Sequence, residues 1–442
     1  MEKVWKSGWQ VPFFGSEAQH SMGAELVSTG DVYQIIRRAL GIMDRKVLLH
    51  GEITAYIFYN MLKAENNYTD AELAEYTLIG MMHDIGMIKT GYQNVIECET
   101  TNVWAHSIYG YLFLKYLSPV GSKAEIVLYH HLPYRLHAQI KSHYMKIAEY
   151  LTLADEMDVF MRMEGHGMAK DYFIRNANIT FSAKALEQFY TAQNKFHFLE
   201  KLKTEEYQNE LTELFDRAGF SSKQKMGFLE MLVYAIDFRS QQTVMHTMST
   251  KAFALSLGRL MRVSAVDLQI LYYGSLLHDI GKIVIPLSIL EAPRRLNDEE
   301  MRVMKAHVVI TDKILNGILD ERIVHVAARH HEKLDGSGYP LGLTGEDLSV
   351  LERITAVADI LSALYGKRSY KDSFPSEKIK EILKSDADNG KICKQVVQVA
   401  INNFETIIRD YEKERNESME RYIEITQQYD SIYERFKGFD TQ

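Results

Sequence analysis

Cysteine is nearly absent: Cys98 and Cys393 are the only two in 442 residues and lie far apart in the chain. That excludes a disulfide framework and suits a reducing compartment, so the cytoplasm is the expected location. Proline is scarce as well, with seven in all. Few positions are barred from helix interiors, and long apolar runs of 3.6-residue period point to an all-helical protein. No apolar run reaches the roughly 18 residues of a membrane span. The opening residues, with Trp5, Trp9, Pro12 and Phe13-Phe14, lack the apolar core of a signal peptide. No membrane partner is expected. A basic excess is missing too. The formal net charge of −8 argues against a nucleic-acid polymer as partner, although a local cationic pocket can still hold a small anion. The apolar fraction of 46% suffices for buried cores, and the length suggests two or three domains.

What the chain does have is histidine in clusters beside aspartate. The stretch Gly274-Ser275-Leu276-Leu277-His278-Asp279-Ile280-Gly281-Lys282 sets His278 next to Asp279 at the end of an apolar helical run. Arg329-His330-His331-Glu332 leads into a loop with Gly336, Gly338 and Tyr339-Pro340. Asp359 sits inside the apolar run from Arg353 to Leu364, where a carboxylate is costly to bury unless something neutralises it. With His246 upstream and His307 between, the order is His, His-Asp, His, His-His, Asp. Imidazole with carboxylate suits first-row divalent metals such as iron, manganese or zinc. There are more ligands than one ion needs, so two ions sharing a bridging aspartate is the natural reading.

From about Met231 to Phe404, the motifs HDIGK and HHEKLDGSGYP make the chain resemble the HD-GYP family of cyclic-dinucleotide phosphodiesterases, within the HD phosphohydrolases. The resemblance implies His246, His278, Asp279, His307, His330, His331 and Asp359 as metal ligands, with Asp279 bridging and catalytic. It implies two divalent metals, iron or manganese first, with zinc, nickel, cobalt or magnesium as alternatives. Two ions about 3.5–4 Å apart can supply a bridging hydroxide. Lys282 would face the scissile phosphate. Arg368 and Lys371, nine and twelve residues after Asp359, would hold the second phosphate, and Tyr339 would stack on or cover a base. Three positions depart from the family pattern. Gln242 replaces a glutamate that carries a third metal in some members, which favours a binuclear site and a linear dinucleotide as product. Ser362 replaces a common aspartate and Ser369 a common proline; neither is expected to touch the metal set.

The same order occurs earlier, as His50, His83-Asp84, His106, His130-His131 and Asp155. The offset is 196 between His50 and His246 and 204 between Asp155 and Asp359. Ten of the sixteen histidines occupy these positions, which implies an internal duplication rather than scattered surface residues. This first copy keeps a second set of metal ligands but lacks the phosphate machinery. Met87 stands in place of Lys282, Leu132-Pro133-Tyr134-Arg135-Leu136 replaces the Gly-Tyr-Pro loop, and Glu164 and Gly167 replace Arg368 and Lys371. A regulatory or structural role is expected for it.

The expected layout is a leader at 1–27, a degenerate N-terminal HD domain at 28–195 and a helical connector at 196–230. An HD-GYP catalytic domain at 231–405 and a C-terminal helix at 406–442 complete it. In that last helix, Tyr422, Ile425, Tyr429, Ile432, Tyr433 and Phe436 recur at three and four. The stripe serves either packing on the chain's own domain or a dimerising coiled coil, so a homodimer through helical elements is entertained. The function expected is hydrolysis of cyclic di-GMP to linear pGpG, with onward cleavage to GMP left open. The alternatives are a mixed GMP–AMP cyclic dinucleotide as substrate, and a non-catalytic cyclic-dinucleotide sensor.

Overall fold

Short polar side chains set the helix starts. Ser28, Thr69, Ser221 and Asn297 each accept a hydrogen bond from the backbone three residues on, and Asp31, Glu72, Gln224 and Glu300 reach back to close capping boxes. Each such cap is worth about 1 kcal/mol. The computed structural model describes residues 25–90, 102–164, 169–240, 244–366 and 374–439. Among these there is no strand, only isolated bridges at Ala177/Phe181 and Asp335/Thr344. The all-helical expectation holds. No described helix is long and apolar enough to cross a membrane.

The first half comprises α1 (Thr29–Met43), α2 (Arg45–Ala64), α3 (Asp70–Met81), α4 (Val103–Leu117), α5 (Glu125–Leu128), α6 (Met145–Glu164) and α7 (Ala183–Phe196). After a short helix at Phe198–Lys203 come α8 (Tyr207–Ala218) and α9 (Ser222–Asp237). The second half comprises α10 (Val244–Leu260), α11 (Ala265–Leu277), α12 (Asp298–Leu315), α13 (Glu321–Ala328), α14 (Val350–Gly366), α15 (Ser376–Asp388) and α16 (Lys394–Asn402). The last helix is α17 (Phe404–Lys437).

The duplication is visible in the packing. In the first half α2 lies against α3 and α6; in the second α10 lies against α11 and α14. In each half the glycine of the His-Asp-Ile-Gly stretch seats the turn on the helix that follows. A Cβ on Gly86 would collide with the His106 carbonyl, and one on Gly281 with the His307 carbonyl. Only glycine permits that approach.

The halves are fused rather than strung together. α8 covers α1 and α3, with the Tyr33 and Phe215 rings stacked at 4.4 Å. α9 touches α4 in the first half and α11 in the second, so one continuous helix runs through positions 230 and 231. The Arg38 guanidinium donates to the Asn316 carbonyl at 2.6 Å, at the C-terminal end of α12. α17 lies on both α10 and α4. Its stripe meets the first half directly: Tyr429 stacks on Tyr109 at 4.2 Å and Phe436 meets Trp104 at 4.9 Å. The aromatic seam thus faces this chain's own first domain.

Candidate metal centre

Three histidines of the second half are each aimed by a hydrogen bond to a backbone carbonyl. The Nδ1 of His278 donates to the Ser275 carbonyl at 2.7 Å, that of His307 to Met304 at 2.6 Å and that of His330 to Ala327 at 2.7 Å. A carbonyl only accepts, so the proton sits on Nδ1 and each Nε2 presents a lone pair inward. Burial lowers His307 to about 4 and takes His330 well below the ordinary imidazole value, so both are neutral at pH 7 and able to ligate.

The carboxylates sit between these lone pairs. Asp279 Oδ2 lies 3.2 Å from His278 Nε2 and 3.4 Å from His246 Nε2, while its Oδ1 lies 3.3 Å from His307 Nε2. Asp359 Oδ1 is 3.0 Å from His246 Nε2 and its Oδ2 is 3.6 Å from His331 Nδ1. All seven expected ligands therefore converge. Six of them form two groups with mutually close donor atoms, His246/His278/Asp279 and His307/His330/His331, and Asp359 lies against His246 and His331. Asp279 belongs to the first and turns an oxygen to the second. That oxygen is buried with no hydrogen-bond donor among the described residues. Lone pairs directed at lone pairs in a buried site fit divalent cations.

Lys282 is the only designated substrate cation within the described residues. Its Nζ lies 2.5 Å from Asp279 Oδ2. Burial would depress the ammonium, but Asp279 raises it. Burial would likewise raise Asp279, but the neighbouring His278 and the Lys282 ammonium hold it well below the usual carboxylate range. Tyr339 lies over the site edge, its ring 4.8 Å from that of His331. Arg368, Lys371, Gln242, Ser369 and Gly167 lie outside the described residues.

One expectation is corrected. Ser362 does touch the metal set: its Oγ is 2.9 Å from His246 Nδ1, one α-helical turn beyond Asp359. The hydroxyl can orient that imidazole as the aspartate it replaces would, without the negative charge.

Several neighbours of the site escaped sequence reasoning. Arg239 donates to the carbonyls of Lys282 at 3.2 Å and Ile283 at 2.6 Å, holding the turn that carries the lysine. Asp237 is raised to about 7 by burial, against a Thr247 hydrogen bond and with the Asp279 charge adding to the rise. Buried Glu332 accepts from the Leu341 and Leu343 amides at 2.6 and 2.9 Å and so shapes the Gly-Tyr-Pro loop. Gly338 presses on the Glu332–Lys333 backbone, where a Cβ would collide. Lys305 sets its ammonium 4.7 Å over the Tyr339 ring. Glu332 and Gly338 carried a signal, one as an acid inside the double-histidine motif and the other as a glycine of the loop already singled out; Arg239, Asp237 and Lys305 carried none.

The first half repeats the geometry. His50 Nε2 is 3.0 Å from Asp155 Oδ1, His106 Nε2 is 3.2 Å from Asp84 Oδ1, and His83 Nε2 is 3.5 Å from Asp84 Oδ2. His106 and His131 meet at 2.9 Å between their Nε2 atoms. His83 and His130 donate from Nδ1 to the Gly80 and Val127 carbonyls at 2.7 and 2.6 Å.

Against known families, residues 230–393 match the model described as HD domain. The second half is an HD domain. The recognition made from HDIGK and HHEKLDGSGYP holds, since the relatives of this HD domain are cyclic-dinucleotide phosphodiesterases. The 3′3′-cGAMP-specific phosphodiesterase 1 of Vibrio cholerae is 24% identical over 401 residues, 85% of this chain and 92% of that protein. A cyclic di-GMP phosphodiesterase of Thermotoga maritima is 34% identical over 194 residues, 43% of this chain and 52% of that protein. A solved cyclic GMP-AMP-specific phosphodiesterase of Vibrio cholerae shares the fold at a TM-score of 0.53 and 18% identity, over 86% of this chain and 98% of that one.

Proposed function

We propose that this chain is a metal-dependent phosphodiesterase that cleaves a cyclic dinucleotide at the HD domain's His/Asp centre. The observation that carries the reading is the pairing of two ligand groups around Asp279 with the Lys282 ammonium beside the same carboxylate. Two divalent ions held there, iron or manganese first, would supply activated water at neutral pH and a Lewis acid for the phosphoryl oxygen. The protein's own contributions follow from the geometry. The carbonyl-anchored imidazoles keep their Nε2 lone pairs inward. Lys282 offers positive charge where charge develops on the phosphoryl group. Tyr339, with Lys305 over its ring, offers a flat, cation-backed surface for a base. Arg368 and Lys371 remain the proposed partners of the second phosphate. Gln242 in place of a third acidic ligand supports a linear dinucleotide as product.

Of the two candidate substrates, 3′3′-cyclic GMP–AMP is the better supported. The GMP–AMP-specific relative aligns along most of both chains, whereas the Thermotoga cyclic di-GMP enzyme aligns over less than half of this one. The test is turnover of both dinucleotides by metal-loaded protein, with products separated by chromatography. Faster cleavage of the mixed dinucleotide is expected, with accumulation of its linear form. A preference for cyclic di-GMP would reverse the substrate order, and no cleavage of either would overturn the reading.

A further inference from the structure

We propose that the first domain holds a metal centre of its own, closed to substrate, in which divalent first-row ions serve structure rather than hydrolysis. Four buried atoms point to it. Both oxygens of Asp84, Asp155 Oδ1 and His130 Nε2 are inaccessible and have no hydrogen-bond donor among the described residues. His130 is 0% exposed and Asp155 1%. Leaving so many polar atoms unsatisfied in a helical core is costly. The His83 and His130 protons are committed to backbone carbonyls, so their Nε2 atoms add lone pairs to the same space. Donor atoms fall into close groups here too, His50/His83/Asp155 and His106/His130/His131, with Asp84 against both His83 and His106.

The charge balance separates this cluster from the second one. In the HD domain Lys282 pairs with Asp279. At the matching place the first domain has Met87, which packs on Val47 and Met43 as a small apolar cluster apart from the main core. Asp84 and Asp155 are both buried, among the imidazoles of His50, His83 and His106. Divalent ions held among them would add positive charge where Lys282 has no counterpart.

The outer groups are built for tighter holding. Asp158 Oδ2 accepts from His50 Nδ1 at 2.7 Å, where the HD domain offers only the Ser362 hydroxyl. A carboxylate behind a ligating imidazole raises its basicity and fixes its orientation. The cluster is also more enclosed. The His50 side chain is 2% exposed against 18% for His246, and His131 10% against 27% for His331. Closed ligand sets are the mark of structural metal sites, whereas catalytic sites keep an open position.

The test uses the full chain loaded with Mn²⁺, with excess ion removed and bound metal counted by elemental analysis. The His278→Ala/Asp279→Ala variant, folded by circular dichroism, is expected to retain ions and to lose thermal stability when a chelator strips them. The same folded variant with no bound metal, or with a melting point indifferent to chelator, would overturn the proposal. Asp158→Asn guards against a misfolded ligand variant. In the His278→Ala/Asp279→Ala background it should weaken retention in chelator competition by roughly 10–100-fold, and unchanged retention would count against the centre. Neither readout depends on cleavage, so a failure of the phosphodiesterase reading is told apart from a failure of this one.

Discussion

Lys282 sits on a turn whose carbonyls are held by Arg239, with its ammonium on the carboxylate that joins the two ligand groups. A cation so placed acts on charge developing in the transition state more than on metal retention. Lys282→Ala should therefore lower kcat by roughly 10²–10³-fold with bound metal unchanged, measured by turnover beside elemental analysis. An unaltered rate would mean that it takes no part in the chemistry. Ser362 acts one shell out. Ser362→Ala removes the group that meets His246 Nδ1 and should weaken metal retention by roughly tenfold, read by chelator competition with helicity unchanged.

Two elements extend the argument beyond single side chains. The Gly-Tyr-Pro loop is tied down by Glu332, which accepts two loop amides from a buried position. Glu332→Ala strands both donors, at about 1–3 kcal/mol each where they remain unsatisfied, and frees Tyr339. The expected result is a raised KM with metal content intact; a variant indistinguishable from the parent in KM would mean the loop does not meet substrate. The last helix is the second element. Phe436 is fully buried against Trp104 and Tyr129 of the first domain. Phe436→Ala should cost roughly 3–5 kcal/mol in denaturant unfolding. A cost near zero would mean that α17 does not rest on the first domain in solution.

At the scale of the molecule, the chain carries two copies of one ligand order in a fused helical body with unequal chemistry. Among the described residues, only the HD domain sets a lysine against its central aspartate and adds a Gly-Tyr-Pro loop. Its substrate is doubly anionic, and holding it in line for attack needs positive groups as well as activated water. His278→Ala/Asp279→Ala should abolish turnover of the cyclic dinucleotide, while His83→Ala/Asp84→Ala should leave the second site's chemistry in place at reduced stability. Circular dichroism establishes that both remain helical. Activity surviving only in the His278→Ala/Asp279→Ala protein would assign the domains the other way round.

The helical class, the duplication and the membership of both His/Asp clusters were legible in the sequence. Helix period, capping residues and the spacing of metal ligands are local properties, and the repeated order of ten histidines leaves a pattern that composition alone would not produce. Tertiary structure decided what depends on groups distant in the chain. Arg239 reaches the Lys282 turn from 43 residues away, and Asp158 reaches His50 across 108. No period or motif encodes such pairs, because a side chain's partner is set by where the folded backbones meet. The same holds for α17. Its stripe suited a partner helix or the chain's own surface equally well, and only the packed first domain, offering Trp104 and Tyr109, determined which surface covers it.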